Sequence, residues 1–247
     1  SGEVRSVTLD DGNHIRTPTL VNAAGPLIDE VAALFGEELP VHSELHLKVA
    51  FKEHKRVIPP DAPMLIWSDP QRIDWSPEVV EMFGQDPSTQ FLLDELPAAC
   101  HGRPEGGAES PYVLALWEYQ RRVAQPTWPV PLDPLYPEVV MRGMSTMVPG
   151  LSVYRHGMPA SSIDGGYYTK TEDNLPLIGP MATSGAYLVG ALSGFGVMAA
   201  AAAGELAALH VTGGNLPGYA RAFRPSRFDD PAYLMAVREG ADDDGQL

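Results

Sequence analysis

The chain has 247 residues, 44% of them hydrophobic, and carries 17 Lys+Arg against 32 Asp+Glu for a formal net charge of −15. That balance argues against a nucleic-acid binder or a partner of anionic membranes, since both need a positive field. The single cysteine, Cys100, excludes an internal disulfide and a cysteine-cluster metal site, and the length allows one large domain or two small ones.

In chain order, "EVRSVTLDDGNHIRTPTLVNAAG" (3–25) alternates apolar and polar residues around Asp10-Asp11-Gly12, which predicts a hairpin with an Asp-Gly turn. Its second strand runs into small residues. "LIDEVAALFG" (27–36) follows at helical spacing, with Ile28, Val31, Ala32 and Phe35 on one face and Gly36 as its stop. A strand, a small-residue turn and a helix form half of an α/β unit, so the chain is expected to begin inside a domain.

Residues 41–75 read as strands. Ser76 and Pro77 open a short helix in "SPEVVEMFG". "CHGRPEGGAESPYVLALWEYQ" reads as two extended stretches joined at Pro104–Gly107, and "PEVVMRGMSTMVPGL" (137–151) as a helix. Extended structure then returns, "NLPLIGP" reads as a loop, "AYLVGAL" (186–192) as an apolar strand, and 197–211 as the final helix, followed by an acidic solvated tail in "REGADDDGQL". No run approaches the roughly 20 apolar residues of a membrane span. The longest, 186–203, is broken by Ser193 and glycines 190, 194 and 196. Residues 1–25 lack the pattern of a signal peptide, so a soluble, cytoplasmic protein is expected.

Three stretches could carry chemistry. In "GALSGFGVMAAAAAGELAALHVTGG" (190–214) a glycine-rich turn feeds a helix whose N-terminus offers unpaired N–H groups and a partial positive charge. Glycines let a ligand approach that backbone without a Cβ in the way. The spacing is neither GxGxxG nor a phosphate loop, so a planar, partly anionic group fits better than a nucleotide phosphate. The others are "DGGYYTKTEDNLPLIGP" (164–180) and "VNAAGP" (21–26). Taken singly, each also reads as an ordinary turn.

Together and in this order, they resemble the FAD-dependent oxidoreductases of the D-amino acid oxidase, glycine oxidase, sarcosine oxidase and dimethylglycine dehydrogenase superfamily. "TLVNAAGP" with the helix after it resembles that family's exit from the FAD domain. "GGYYTKTEDNLPLIGP" resembles its G-x-x-x-x-T-x-D-x-x-P-x-I-G strand and loop. "LSGFGVMAAAAAGELAALHVTGG" resembles its flavin-facing helix, and "FRPSRF" (223–228) its tail. The resemblance is dense at both ends and thin between 76 and 137.

The fold implied is α/β (α+β overall), the C-terminal part of a Rossmann-like FAD domain plus an antiparallel-sheet substrate domain. Residues 1–40 would belong to the FAD domain, 41–170 to the substrate domain, 171–230 to the closing part of the FAD domain, and 231–247 to the acidic tail. The resemblance implies FAD as cofactor, held by Ala24, Gly25 and Pro26 and by Ser193, Gly194, Phe195, Gly196, Val197 and Met198. It implies oxidation of a C–N bond of an amine or amino acid, with oxygen or an electron acceptor as oxidant.

The partner implied is an N-terminal portion carrying GxGxxG, about one domain in length. Family register places Tyr168 where the glycine oxidase branch has a carboxylate-binding arginine and sarcosine oxidase a tyrosine. The cysteine of a covalent flavin link would fall on Gly166. Tyr168 would position substrate. His101 and Arg103 in "CHGRPEGG" are further pocket candidates, although both also read as structural. Trp67, Trp75 and Trp117 could wall a pocket or fill core, and no metal site is expected. A non-catalytic, flavoprotein-like assembly subunit is the other reading.

Overall fold

The computed structural model describes residues 2–120 and 123–239. In chain order its elements are β1 (Ser6–Thr8), β2 (His14–Arg16), β3 (Leu20–Asn22), α1 (Ile28–Ala33), β4 (Val41–Lys52), β5 (Leu65–Trp67), α2 (Pro77–Gln85), β6 (Cys100–Glu105), β7 (Tyr112–Leu116), α3 (Tyr136–Met147), β8 (Ser161–Thr171), β9 (Leu177–Pro180), β10 (Ala186–Gly190), α4 (Gly196–Thr212) and α5 (Pro231–Glu239). Two compact units share them. Unit 1 is Ser1–Glu44, Val123–Pro126 and Tyr167–Leu247, and unit 2 is Leu45–Arg122 and Thr127–Gly166.

In unit 1, β1 and β2 form the expected hairpin, with Ser6 opposite Arg16. Its turn is closed by the Asp11 carboxylate accepting the Asn13 N–H at 2.9 Å and by Gly12 at φ +83. A second sheet has the order β3-β10-β9. Strand β10 is parallel to β3, with Leu188 beside Asn22, and antiparallel to β9, with Leu188 opposite Gly179. Apolar residues cover both faces. Ile28 and Ala32 of α1 pack with Leu177, Ala186 and Leu188, while Ala203, Leu206 and Ala207 of α4 pack with Ile178. This is the layered logic of an α/β fold. Helix α1 ends as its spacing predicts, with Gly36 in the left-handed region at φ +72.

Three expectations need correction here. "NLPLIGP" is not all loop, because Leu177 and Ile178 are buried on opposite faces of the sheet and form β9. The helix over 197–211 is not the last, since α5 occupies 231–239 where the acidic tail was placed; Asp230 caps it by accepting the Ala232 N–H at 2.9 Å. The tail residues 240–247 lie outside the described residues. The third concerns the apolar run. Gly196 takes helical angles (φ −55, ψ −42), so the helical stretch Ser193–Thr212 is continuous and, by length and composition, long and apolar enough to cross a membrane. Half of it is exposed, including Val197 at 95% and Met198 at 84%.

Unit 2 is built on a sheet of order β5-β6-β7-β4-β8. Helix α3 lies against it, so Val49, Phe51, Val113, Ala115, Trp117 and Cys100 bury against Val139, Val140 and Met144. Glycine permits that approach: a Cβ on Gly143 would stand 2.5 Å from the Trp117 ring. Ser76 and Pro77 open α2 as expected, although the Ser76 hydroxyl makes no cap bond. Glu53, 2% exposed, is compensated by the Tyr154 hydroxyl at 2.5 Å and by the Lys55 and Ile58 N–H groups.

Candidate functional site

The parallel pairing of β3 with β10 decides where chemistry can gather in unit 1. Both strands deliver their following turns, 23–26 and 191–196, to the same end of the sheet. Strand β9 runs the other way, with Leu177 opposite Gly190, so the segment entering it, 172–176, arrives at that end as well. In open α/β sheets the carboxyl ends of parallel strands are where ligands bind. All three motif stretches therefore converge on one edge.

Around that edge the backbone is under tension. Left-handed torsions fall at Ala191 (φ 52) and Ser193 (φ 49), residues that carry a Cβ, and at Gly25 (φ 59). The glycines of the second turn supply room instead of torsional freedom. A Cβ on Gly190 would overlap the Ile28 side chain, and one on Gly194 would stand 2.5 Å from Cε2 of Tyr168. The half-buried Tyr168 ring thus rests against the turn that opens α4. No side chain caps α4 at Phe195. Gly194, Val197 and Met198 are exposed, while Ser193, Phe195 and Gly196 are partly so.

On the neighbouring turn Gly25 is exposed and Ala24 and Pro26 are half-buried. Asn22 fixes this turn, donating from Nδ2 to the Ile28 carbonyl at 2.7 Å and accepting the Ala24 N–H at 3.3 Å. The third stretch is held by a buried ion pair. Asp173 receives Nε and Nη2 of Arg227 at 2.7 and 2.9 Å, with the Thr171 hydroxyl at 2.7 Å and the Leu175 N–H at 3.0 Å. Burial pushes the Asp173 carboxyl up, but Arg227 and the hydroxyl donors outweigh it and hold the pKa down to about 2. Asp173 is an anchor for the loop.

His101 and Arg103 lie in unit 2 on β6, whereas Tyr168 lies in unit 1. Cys100 and Gly102 point toward α3, where a Cβ on Gly102 would meet Met144 at 2.8 Å, and the alternation of the strand puts His101 and Arg103 on the opposite face. His101 is 9% exposed, and its Nδ1 donates to the Ala99 carbonyl at 2.8 Å. Arg103 is exposed and pairs with Glu105 at 3.0 Å. Trp75 and Trp117 belong to the core of unit 2, with Trp67 packed against it. Among the described residues no group of three or more His, Cys, Asp or Glu could hold a metal ion.

One polar pair escaped the sequence reading. His46 and Glu118 meet at 2.6 Å, both largely buried. The glutamate ending the apolar strand "YVLALWEY" was a visible signal, but its partner on β4 was not.

No protein-family model matches the chain, and no curated protein matches its sequence. Solved structures do match it in fold. L-proline dehydrogenase from P. horikoshii aligns with a TM-score of 0.61 at 18% identity, covering 92% of this chain and 51% of that one. Glycine oxidase from Geobacillus kaustophilus aligns with a TM-score of 0.59 at 15% identity, covering 90% and 48%. L-amino acid deaminase from Proteus myxofaciens, solved with anthranilate, aligns with a TM-score of 0.59 at 16% identity, covering 93% and 54%. The chain has the α/β fold of these structures and spans about half of their length.

Proposed function

We propose that this chain, which carries the fold of glycine oxidase and L-proline dehydrogenase over half their length, is the C-terminal part of an FAD-dependent oxidoreductase acting on the C–N bond of an amine or amino acid. The observation that carries this reading is the convergence of the turns at 23–26 and 191–196 and the segment 172–176 on one end of a partly parallel sheet, with Tyr168 packed on Gly194.

The residues present suit a flavin. Ala24, Gly25 and Pro26 offer a turn with little side chain, and Ser193 to Met198 offer a helix start that is exposed at Gly194, Val197 and Met198, with no side-chain cap at Phe195. The chemistry a bound FAD would supply there is acceptance of one hydride, which carries both electrons, from the substrate C–H next to nitrogen; with loss of the N–H proton this would leave an imine, and the electrons would go on to oxygen or another acceptor. The N–H groups of Gly196, Val197 and Met198, with the dipole of α4, would stabilise negative charge on a ring seated against them. Tyr168 would fix the position of substrate or ring, its own place set by Gly194. Unit 2 is the substrate-binding part in this reading, with His101 and Arg103 as candidates on the sheet face away from α3.

The exposed apolar face of α4, from Val197 and Met198 onward, supports a further polypeptide portion. Strand β3, at the edge of its sheet, supports it too. That portion would bring the GxGxxG turn.

The test is to purify the complete enzyme, this chain with its GxGxxG portion, and record its visible spectrum. Bound flavin that bleaches on anaerobic addition of an amine or amino acid is the expected result. A protein without flavin absorption would overturn the proposal. Flavin that no amine or amino acid bleaches would point to the assembly-subunit reading.

A further inference from the structure

Strands β4 and β7 of unit 2 do not stay paired along their length. Their ladder runs from Lys52 opposite Tyr112 to Val49 opposite Ala115. In that register Lys48 would next face Leu116, and Leu47 would face Trp117. Instead the Tyr136 hydroxyl stands between them, donating to the Leu47 carbonyl at 2.6 Å and accepting the Trp117 N–H at 3.0 Å. One hydroxyl thus replaces a direct strand-to-strand bond and wedges the strands apart while leaving both backbone groups satisfied.

A cavity of about 90 Å³ lies at the opening, lined by Leu45, His46, Leu47, Trp117, Glu118 and Tyr119, with Gln120, Pro131, Asp133 and Tyr136 beyond. An open groove of about 340 Å³ shares Gln120, Pro131 and Asp133 with it, so the cavity has a way out.

Its described charged groups are two carboxylates and one imidazole. His46 donates from Nδ1 to Glu118 at 2.6 Å. Asp133 accepts the Leu135 N–H at 2.8 Å and the Tyr119 hydroxyl at 3.4 Å. The Tyr119 and Tyr136 rings stack at 5.7 Å. Two carboxylates and two tyrosine rings face one imidazole, and no lysine or arginine is among the described lining residues. A ligand carboxylate would meet two negative groups here. An ammonium group would meet the carboxylates of Glu118 and Asp133, which attract it. A volume of about 90 Å³ suits a compact headgroup, with the rest of a ligand in the groove.

We propose that this cavity binds the ammonium headgroup of a small organic amine that carries no carboxylate beside its nitrogen, the rest of the molecule leaving through the groove at Pro131 and Asp133. The site lies within unit 2 and goes beyond the function proposed above: a cavity of this size has no room for a flavin beside the carbon next to the nitrogen, so it holds a ligand other than the reacting amine.

Methylammonium chloride titrated into the full chain, with sodium chloride at equal ionic strength as control, tests it by backbone NMR shifts and calorimetry. Expected are saturable shifts confined to residues 45–47, 117–120 and 131–136, an affinity lowered about tenfold in Glu118→Gln, and no such shifts with sodium acetate. Asp133→Asn gives a second readout should Glu118→Gln fail to fold. No saturable shift in the unmodified chain, equal binding by acetate, or unchanged affinity in the folded variants would overturn the proposal.

The two proposals fail separately. A complete enzyme whose flavin is bleached by an amino acid, in a chain that does not bind methylammonium, sinks the cavity and leaves the reaction. Methylammonium binding in a complete enzyme without flavin does the reverse.

Discussion

The ring of Tyr168 fills the space beside the Cα of Gly194, so that a Cβ placed there falls 2.5 Å from Cε2 and 2.9 Å from Cζ. Either the ring or the turn must move if residue 194 gains a side chain. Gly194→Ala is expected to cost about 1–3 kcal/mol through overpacking, measured as a lower urea midpoint. Removing the ring relieves the clash, so the Gly194→Ala/Tyr168→Ala pair should be more stable than the sum of the single changes predicts, by about 0.5–3 kcal/mol. Strict additivity would show that the two residues do not press on each other.

The buried pair of Asp173 and Arg227 sets an acid limit on unit 1. The folded pKa of Asp173, about 2, lies below its ordinary 3.8. Its contribution is therefore complete above about pH 4 and is lost as pH falls from there toward 2. Asp173→Asn leaves the Arg227 charge buried without its carboxylate and should cost about 3–5 kcal/mol at neutral pH. Denaturation curves at pH 7 and pH 3 should show the gap between wild type and variant narrowing at the lower pH. A gap that does not change would remove Asp173 as the titrating group.

Two helical glycines should respond with opposite signs. A Cβ at Gly143 would stand 2.5 and 2.7 Å from the Trp117 ring and 3.0 Å from the Cys100 sulfur. Trp117 has little room to retreat, since its Nε1 donates to the Pro97 carbonyl at 2.9 Å. Gly143→Ala should lose about 1–3 kcal/mol, more than the helix propensity of alanine returns. Nothing lies within 4 Å of a Cβ at Gly204 on α4, so Gly204→Ala should gain up to about 1 kcal/mol. Thermal melts of the two variants decide the signs.

Cys100 is fully buried, and burial pushes its thiol well above the usual range. It should resist iodoacetamide at pH 8 in the folded chain and react promptly in urea. Mass spectrometry over a urea series would then follow the opening of the unit 2 core. Rapid labelling without denaturant would contradict that burial.

Much of unit 1 could be read from residue spacing. The Asp10–Gly12 turn, α1 with its stop at Gly36, and the strand-turn-helix of β10 and α4 are local patterns with local causes. Strand β9 was hidden because a four-residue strand buried on both faces shows no alternation. The glycines of 190–196 were visible, but their purpose was not. The sequence reading had them open the backbone to a ligand; in the structure Gly190 and Gly194 also admit Ile28 and Tyr168, while the left-handed angles fall on Ala191 and Ser193. Pairings across the sequence were out of reach. The Tyr136 hydroxyl reaches Leu47 across 89 positions and His46 meets Glu118 across 72, and nothing near either residue announces the other.

The parallel neighbours β3 and β10 also impose an order of assembly. Leu20 to Asn22 are synthesised early, yet the strand they pair with begins only at Ala186, after every residue of unit 2 has been made. During synthesis β3 must wait without β10 while unit 2 closes on contacts that are already available. The long loop to be closed makes that pairing slow as well as late. A nascent chain stalled when Gly166 has left the ribosome but Ala186 has not should therefore carry a folded unit 2 and a β3 without its β10 partner.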